Sequence, residues 1–272
     1  MKTEAKTTHI EDVIEIEAFE KAVKVTTATV YVVGQRPFIS SAMSAKVKAE
    51  LLFPAPKKNA AAKATTLKHD PMQEFRDGFY RTRAVEPAAI GMPAACFKRA
   101  MQTAALVTPG ATKAETGRLI WVGSSDMVPI YGVPQFLMSV TRSANINRTP
   151  DVRTRPILPQ WAAAFKLRFM PDFISEKHVL NLLHVAGFVS GLGDYRVEKG
   201  AGDYGQWRVC AADDAEFVEI VETGGRAAQE AAIADPKPYD NETTELWQWY
   251  CDELVRKGKA PKKSLVALAA AE

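Results

Sequence analysis

Apolar residues along this chain recur at two spacings, every second residue in some stretches and every third or fourth in others, and the switch between them sketches the elements. Ala22 to Val33 (AVKVTTATVYVV) is rich in β-branched residues and breaks at Gly34 and Pro37, so one long strand or two short ones are expected. Leu119 to Val122, Val128 to Tyr131 and Phe136 to Val140 are short strand-like runs divided by Gly, Ser, Asp and Pro. Ala162 to Phe169 (AAAFKLRF) ends in alternation, and Gln206 to Ala211 can form a closing strand. Helical spacing appears at Pro93 to Leu106, with Phe97, Ala100, Met101 and Ala104 on one face; Pro93 suits the first helical position because its missing N–H would lack a partner there. Ser175 caps a helix from about Glu176 to Ala186 whose apolar face is Val179, Leu182, Leu183 and Ala186. Thr243 to Lys257 is a third helix, with Glu245 near its positive end and Arg256 and Lys257 near its negative end.

Three stretches break both patterns. Ser44 to Pro71 mixes Ala, Lys and Pro with a single apolar knot at Leu51 to Phe53, and reads as an extended excursion such as a hairpin with a mobile tip between Pro54 and Thr66. Met72 to Tyr80 is a short segment before a turn. Six glycines between 187 and 205 exclude a regular element spanning them. Residues 212 to 242 are acidic and Ala-rich, helix plus connector.

With 272 residues, 47% hydrophobic and 25% charged, the chain suits one elaborated domain or two small ones and argues against wholesale disorder. Its net charge of +3 hides a division: residues 1–20 carry −4, 21–100 carry +9, 101–210 carry +4 and 211–272 carry −6. A basic middle between acidic ends fits a polyanion partner, contact between copies, or simple variation of solvated charge. Cys96, Cys210 and Cys251 are far apart and form no CxxC pair, which argues against a disulfide framework or structural zinc. The start has acids where a signal peptide needs an apolar stretch, and no run of about 18 apolar residues occurs, so a cytosolic, soluble protein without membrane contact is expected.

Candidate chemistry lies within the basic body. Gly191-Leu-Gly193-Asp-Tyr-Arg196 fails as a dinucleotide fingerprint, because Arg196 stands where the third Gly belongs and the segment follows a helix. Its glycines can let backbone approach another chain, while Arg196, Lys199 and Arg208 offer charge and Tyr195, Tyr204 and Trp207 offer flat faces; this mixture suits a phosphodiester strand with stacked bases. The alternative is a loop tightening a helix-to-strand corner. Arg142, Arg148, Arg153 and Arg155 fall within fourteen residues against one acid, Asp151, and arginine grips phosphate bidentately; a solvated loop or local packing is the plainer reading. Lys46, Lys48, Lys57, Lys58, Lys63 and Lys68 give the excursion the composition of an arm reaching a partner, or merely of a soluble surface. His178 and His184 are six apart and face different ways on a helix, so they make no HExxH-type metal site. Asp194 and Asp203 flank the glycine segment, where an ion pair or turn role competes with metal binding, and Cys96 lacks a basic partner. Leu246, Trp247, Trp249, Tyr250 and Leu254 are too apolar for a free helix and dock either on the core or on a partner.

The order of segments resembles a known family. An early strand ending near VVGQRPFIS, the Lys-rich excursion, EFRDGFY before MPAACFKRAMQTAAL, RTRP followed by a Trp and a strand, and a helix running into AGFVSGLGDYR and GDYGQWRV look like RAMP-superfamily proteins, more closely the CRISPR-backbone-like ones of bacteriophages. The likeness spans about residues 22 to 210. It implies an α+β fold: a modified RNA-recognition-motif core (ferredoxin-like, βαββαβ) over 22–211, a thumb-like insertion at 44–71, a polar segment at 1–21 and an acidic helical extension at 212–272. It also implies that Gly191, Gly193 and Arg196 form the loop beside the nucleic-acid path. Val197 stands where many relatives have Pro, a departure from that pattern.

The function expected from these residues is a non-enzymatic, cofactor-free protein that coats single-stranded RNA or DNA as an oligomer in the bacterial cytoplasm. The alternatives are an endoribonuclease using His178, His184 or Asp194, and a decoy subunit that engages CRISPR-type or phage proteins through the acidic C-terminal helix.

Overall fold

The computed structural model describes residues 24–53, 69–123, 125–142, 150–199 and 202–258. The fold is α+β with antiparallel sheets. Strands β1 (Thr26–Gly34), β3 (Tyr80–Arg81), β4 (Ile90–Pro93), β5 (Ile120–Val122), β6 (Met127–Tyr131), β9 (Ala162–Phe169) and β10 (Trp207–Cys210) form the larger sheet in the order β10-β1-β9-β6-β4-β3, with β5 also paired to β9. Strands β2 (Phe38–Ile39), β7 (Gln135–Arg142) and β8 (Pro150–Leu158) form a smaller one in the order β2-β8-β7.

Period-two alternation positions the larger sheet. Along β1, Thr27 and Thr29 face solvent while Val30 and Val32 are buried, and along β9 Lys166 and Arg168 are exposed between buried Phe165, Leu167 and Phe169. The buried face packs against α3 (Ala94–Ala104) and α5 (Glu176–Val189), which also pack on each other. Phe97, Phe165, Trp207, Leu182 and Leu183 lie in this core, and the Phe97 ring sits 4.5 Å from that of Phe165. Trp161 is fully buried, with its indole N–H donated to the carbonyl of Arg36. This ties the turn after β1 to the start of β9.

Among the described residues, three helices follow β10. α6 (Ala215–Thr223) lays Phe217 and Ile220 over Val33 and Ala162, covering one end of the outer face of the larger sheet. α7 (Arg226–Ala234) inserts the fully buried Gln229 between strands: its Oε1 accepts the N–H groups of Ala89 and Ile90, and its Nε2 donates to the carbonyls of Ile130 and Gly132. α8 (Asn241–Arg256) packs on β7, where Trp247 meets the Phe136 ring edge-on at 5.3 Å. Ile233, Trp247 and Cys251 join the main core, while Trp249 stays exposed. The aromatic set on α8 therefore divides: Trp247 docks inward and Trp249 does not.

Several local expectations are corrected. The first part of the excursion is a helix, α1 (Ala45–Leu52), capped by Ser44, rather than extended chain; its Ala, Lys, Glu and Leu residues favour helix, with Val47 the one β-branched residue among them. Met72 to Tyr80 overlaps α2 (Pro71–Asp77), capped by Asp70. The hairpin tip, residues 54–66, lies outside the described residues. Pro93 ends β4 and caps α3 from just outside it. Residues 150–155, expected as loop, belong to β8, whose partner β7 reaches Arg142. A short helix, α4 (Lys113–Leu119), precedes β5. Among the described residues no helix is long and apolar enough to cross a membrane.

Candidate nucleic-acid interface

The glycine segment folds onto the small sheet. After α5 the chain bends at Gly191 and Gly193, both with positive φ (70° and 77°). Asp194 N–H donates to the Ile39 carbonyl at 3.0 Å and Gly205 N–H to that of Pro37 at 2.8 Å, so the segment borders β2. Gly193 has a strict steric reason: a Cβ there would stand 2.2 Å from the Ile39 carbonyl oxygen. The backbone these glycines approach is thus the chain's own. Tyr195 itself adopts φ 51°, and its ring and that of Tyr204 lie over Ile39, Leu137 and Ile157.

Two segments singled out by sequence meet here. Arg155 projects from β8 on the same face, 6% exposed; its Nε pairs with Asp194 at 2.8 Å, and its guanidinium carbon is 5.0 Å from the Tyr195 ring centre. The charge of Arg155 is therefore committed to bracing the loop. Arg153, two residues away and opposite Ser139, shares that face and is exposed. Arg142 is also exposed but falls on the opposite face, because residue parity along β7 aligns it with Val140 and Met138. Arg196 is half-buried, donating to Glu198 at 2.9 Å and to the Gly193 carbonyl at 3.0 Å; burial by itself would raise the Glu198 carboxyl, but the Arg196 hydrogen bond and charge, with a hydrogen bond from Thr103, outweigh it and hold the group below its ordinary range. Lys199 is exposed beyond it, and Lys46 and Lys48 stand on α1. Lys57, Lys58, Lys63, Lys68 and Arg148 lie outside the described residues.

Two suggested contributors are spoken for elsewhere. Trp207 is fully buried beneath α5 and cannot stack on a base. Arg208 is held by Asp214 at 2.6 Å and Glu216 at 2.8 Å, which ties β10 to α6 and pulls the Asp214 carboxyl down to about 2. Burial raises the Tyr204 hydroxyl, helped by the neighbouring Tyr239 and Asp203, so it stays protonated at neutral pH as a hydrogen-bond donor.

A further basic surface lies on the larger sheet. On the outer face of the larger sheet Thr27 pairs with Arg168, Thr29 with Lys166 and Trp121 with Arg168. Lys166 and Arg168 are exposed and Trp121 is half-buried beside them. The alternation in AAAFKLRF carried the signal: apolar residues turned to the core force Lys166 and Arg168 outward. Chemically, such a face offers phosphate-pairing charge next to an aromatic ring.

Asp194 is paired with Arg155. His184 is exposed against the Phe188 ring, and His178 lies near Glu115 in a small cavity on the other side of α5. Cys96 has its thiol raised by burial, the opposite of an activated nucleophile. His69, which the sequence did not mark, bridges Glu74 (Nδ1, 2.9 Å) and Asp151 (Nε2, 3.1 Å). Among the described residues no three His, Cys, Asp or Glu side chains gather as a metal site.

No family model matches the chain, and no curated protein matches it. Among solved structures, it is similar to a chain of the cryo-EM structure of the Type III-B Cmr-beta bound to cognate target RNA, with a TM-score of 0.36 and 14% identity. The match covers 74% of this chain and 64% of that one, so this chain spans less than two thirds of that neighbour's length.

Proposed function

We propose that this chain is a non-enzymatic protein that binds single-stranded nucleic acid and coats it as an oligomer in the bacterial cytoplasm, as RAMP-type backbone subunits of the kind encoded by bacteriophages do. The observation that carries this reading is the meeting of the arginine strand and the glycine loop: Arg155 and Asp194 lock the two together, leaving Arg153 exposed on the shared face. Buried cations that fix a loop and exposed cations beside them divide the work of positioning and phosphate contact. The strand order β10-β1-β9 followed by β5 and β6, with α3 and α5 on one face, supports an RNA-recognition-motif-like core of βαββαβ type. α1 with Lys46 and Lys48 supplies the root of the thumb.

The test is fluorescence anisotropy with labelled mixed-sequence 30-nucleotide RNA and DNA. Binding should weaken steeply with salt, by about 0.7 in the logarithmic slope for each phosphate neutralised. Arg153→Glu should weaken it, and labelled RNA should remain intact with and without EDTA. Salt-insensitive binding, or cleavage, contradicts the proposal.

A further inference from the structure

The connector between α7 and α8, residues 235–240, reads DPKPYD. Pro236 and Pro238 hold their own φ close to that of extended chain, so the stretch is stiff before it meets anything. It lies along the edge of β7 opposite β8. The Phe136 N–H donates to the Lys237 carbonyl at 2.8 Å, the Tyr239 N–H donates to the Phe136 carbonyl at 2.9 Å, and Phe136 pairs with Pro238 in parallel. Both bonds use the residues flanking Pro238, whose missing N–H falls on the side away from β7 and leaves no gap in the ladder. The smaller sheet thus ends in a short parallel segment drawn from the C-terminal extension.

This pairing fixes which way the side chains point. Phe136 is fully buried, and Pro238 turns to the same side. Lys237 and Tyr239 therefore turn to the other side, with Gln135 and Leu137. Tyr239 packs there against Ile39, Leu137 and Ile157, the cluster that also carries Tyr195 and Tyr204. Three half-buried tyrosines, from the glycine loop and the connector, share the face of Arg153. Arg153 and Lys237 are exposed, and among the described residues neither is held by a carboxylate. By strand and residue spacing they stand about 16 Å apart at opposite corners of the face, with tyrosines between them. The nearby carboxylates are engaged: Asp194 with Arg155, Asp203 with Arg36 at 3.1 Å, and Asp240 as the cap of α8, accepting the Thr243 N–H. Cations at the corners and rings between them suit a phosphodiester strand, which carries charge and flat bases together, better than an acidic peptide, which carries charge alone.

We infer that the C-terminal extension is part of the nucleic-acid interface, with Lys237 contacting a phosphate and the Tyr239 ring stacking on a base. This rests on the single-strand binding proposed above and adds to it two residues outside the 22–211 core.

Anisotropy titrations of the full chain with a labelled 30-nucleotide mixed-sequence strand, repeated across a range of salt concentrations, separate the two roles. Tyr239→Leu should weaken binding about tenfold at every salt concentration and leave the slope of log affinity against log salt unchanged. Tyr239→Phe keeps the ring and should bind like the wild type. Lys237→Ala should make the slope shallower by about 0.7. Its position is exposed, so it carries the test even where Tyr239→Leu lowers the melting temperature. Wild-type affinity in Tyr239→Leu, an unchanged slope in Lys237→Ala, or equal affinity for an abasic strand of the same length overturns this inference and leaves the proposed function standing. Absence of binding by the wild type overturns both.

Discussion

Arg155 and Asp194 are 39 positions apart in sequence and joined at 2.8 Å, a bond that fastens the glycine loop to the small sheet. Asp194 is partly open to solvent, so its loss should be milder than the rupture of a fully buried pair. Asp194→Ala should lower stability by about 1–3 kcal/mol in urea denaturation, chiefly because Arg155 remains buried without its partner.

Gln229 closes four backbone hydrogen bonds from a site with no solvent exposure. Gln229→Ala should cost about 2–4 kcal/mol, read as a fall in melting temperature. Gln229→Glu should be at least as damaging. It keeps the acceptor for Ala89 and Ile90 but turns a carboxylate oxygen toward the carbonyls of Ile130 and Gly132.

Glycines with similar φ should respond differently to a methyl group. At Gly193 (φ 77°) a Cβ collides with the Ile39 carbonyl, whereas at Gly110 (φ 73°) nothing lies within 4 Å. Gly110→Ala should cost about 1 kcal/mol from the backbone alone. Gly193→Ala should cost several-fold more and shift the amide signals of Tyr195 and Ile39 in NMR spectra.

Asp214 is lowered from 3.8 to about 2, first by the Arg208 hydrogen bonds. A depressed carboxylate stabilises the fold above its unfolded value and loses that contribution as pH falls toward its folded one. Asp214→Asn keeps a capping oxygen for α6 but no charge. Wild type should melt higher than Asp214→Asn at pH 6, and the gap should shrink between pH 4 and pH 2.

Elements whose burial pattern is local were legible in the sequence. β9 matches its expected span, and α5 begins at the Ser175 cap, because one-sided alternation and a side-chain cap are written within a few residues. α1 was missed because its apolar knot suggested an excursion while its helix-favouring residues carry no amphipathic stripe; none of them is buried. The site was legible in part. Residue types around 153–155 and 191–204 marked both segments, but which arginine is buried depends on a partner nearly forty residues away. Gln229 and His69 gave no signal, since a lone amide or imidazole acquires meaning only from distant backbone and carboxylates.

The most direct test of the central claim is light scattering after size exclusion, with and without a 60-nucleotide mixed-sequence single strand. Several protein copies per 60-mer, fewer on a 15-mer, and loss of the large species in an Arg153→Glu variant are the expected results. A protein mass unchanged by either oligonucleotide contradicts it.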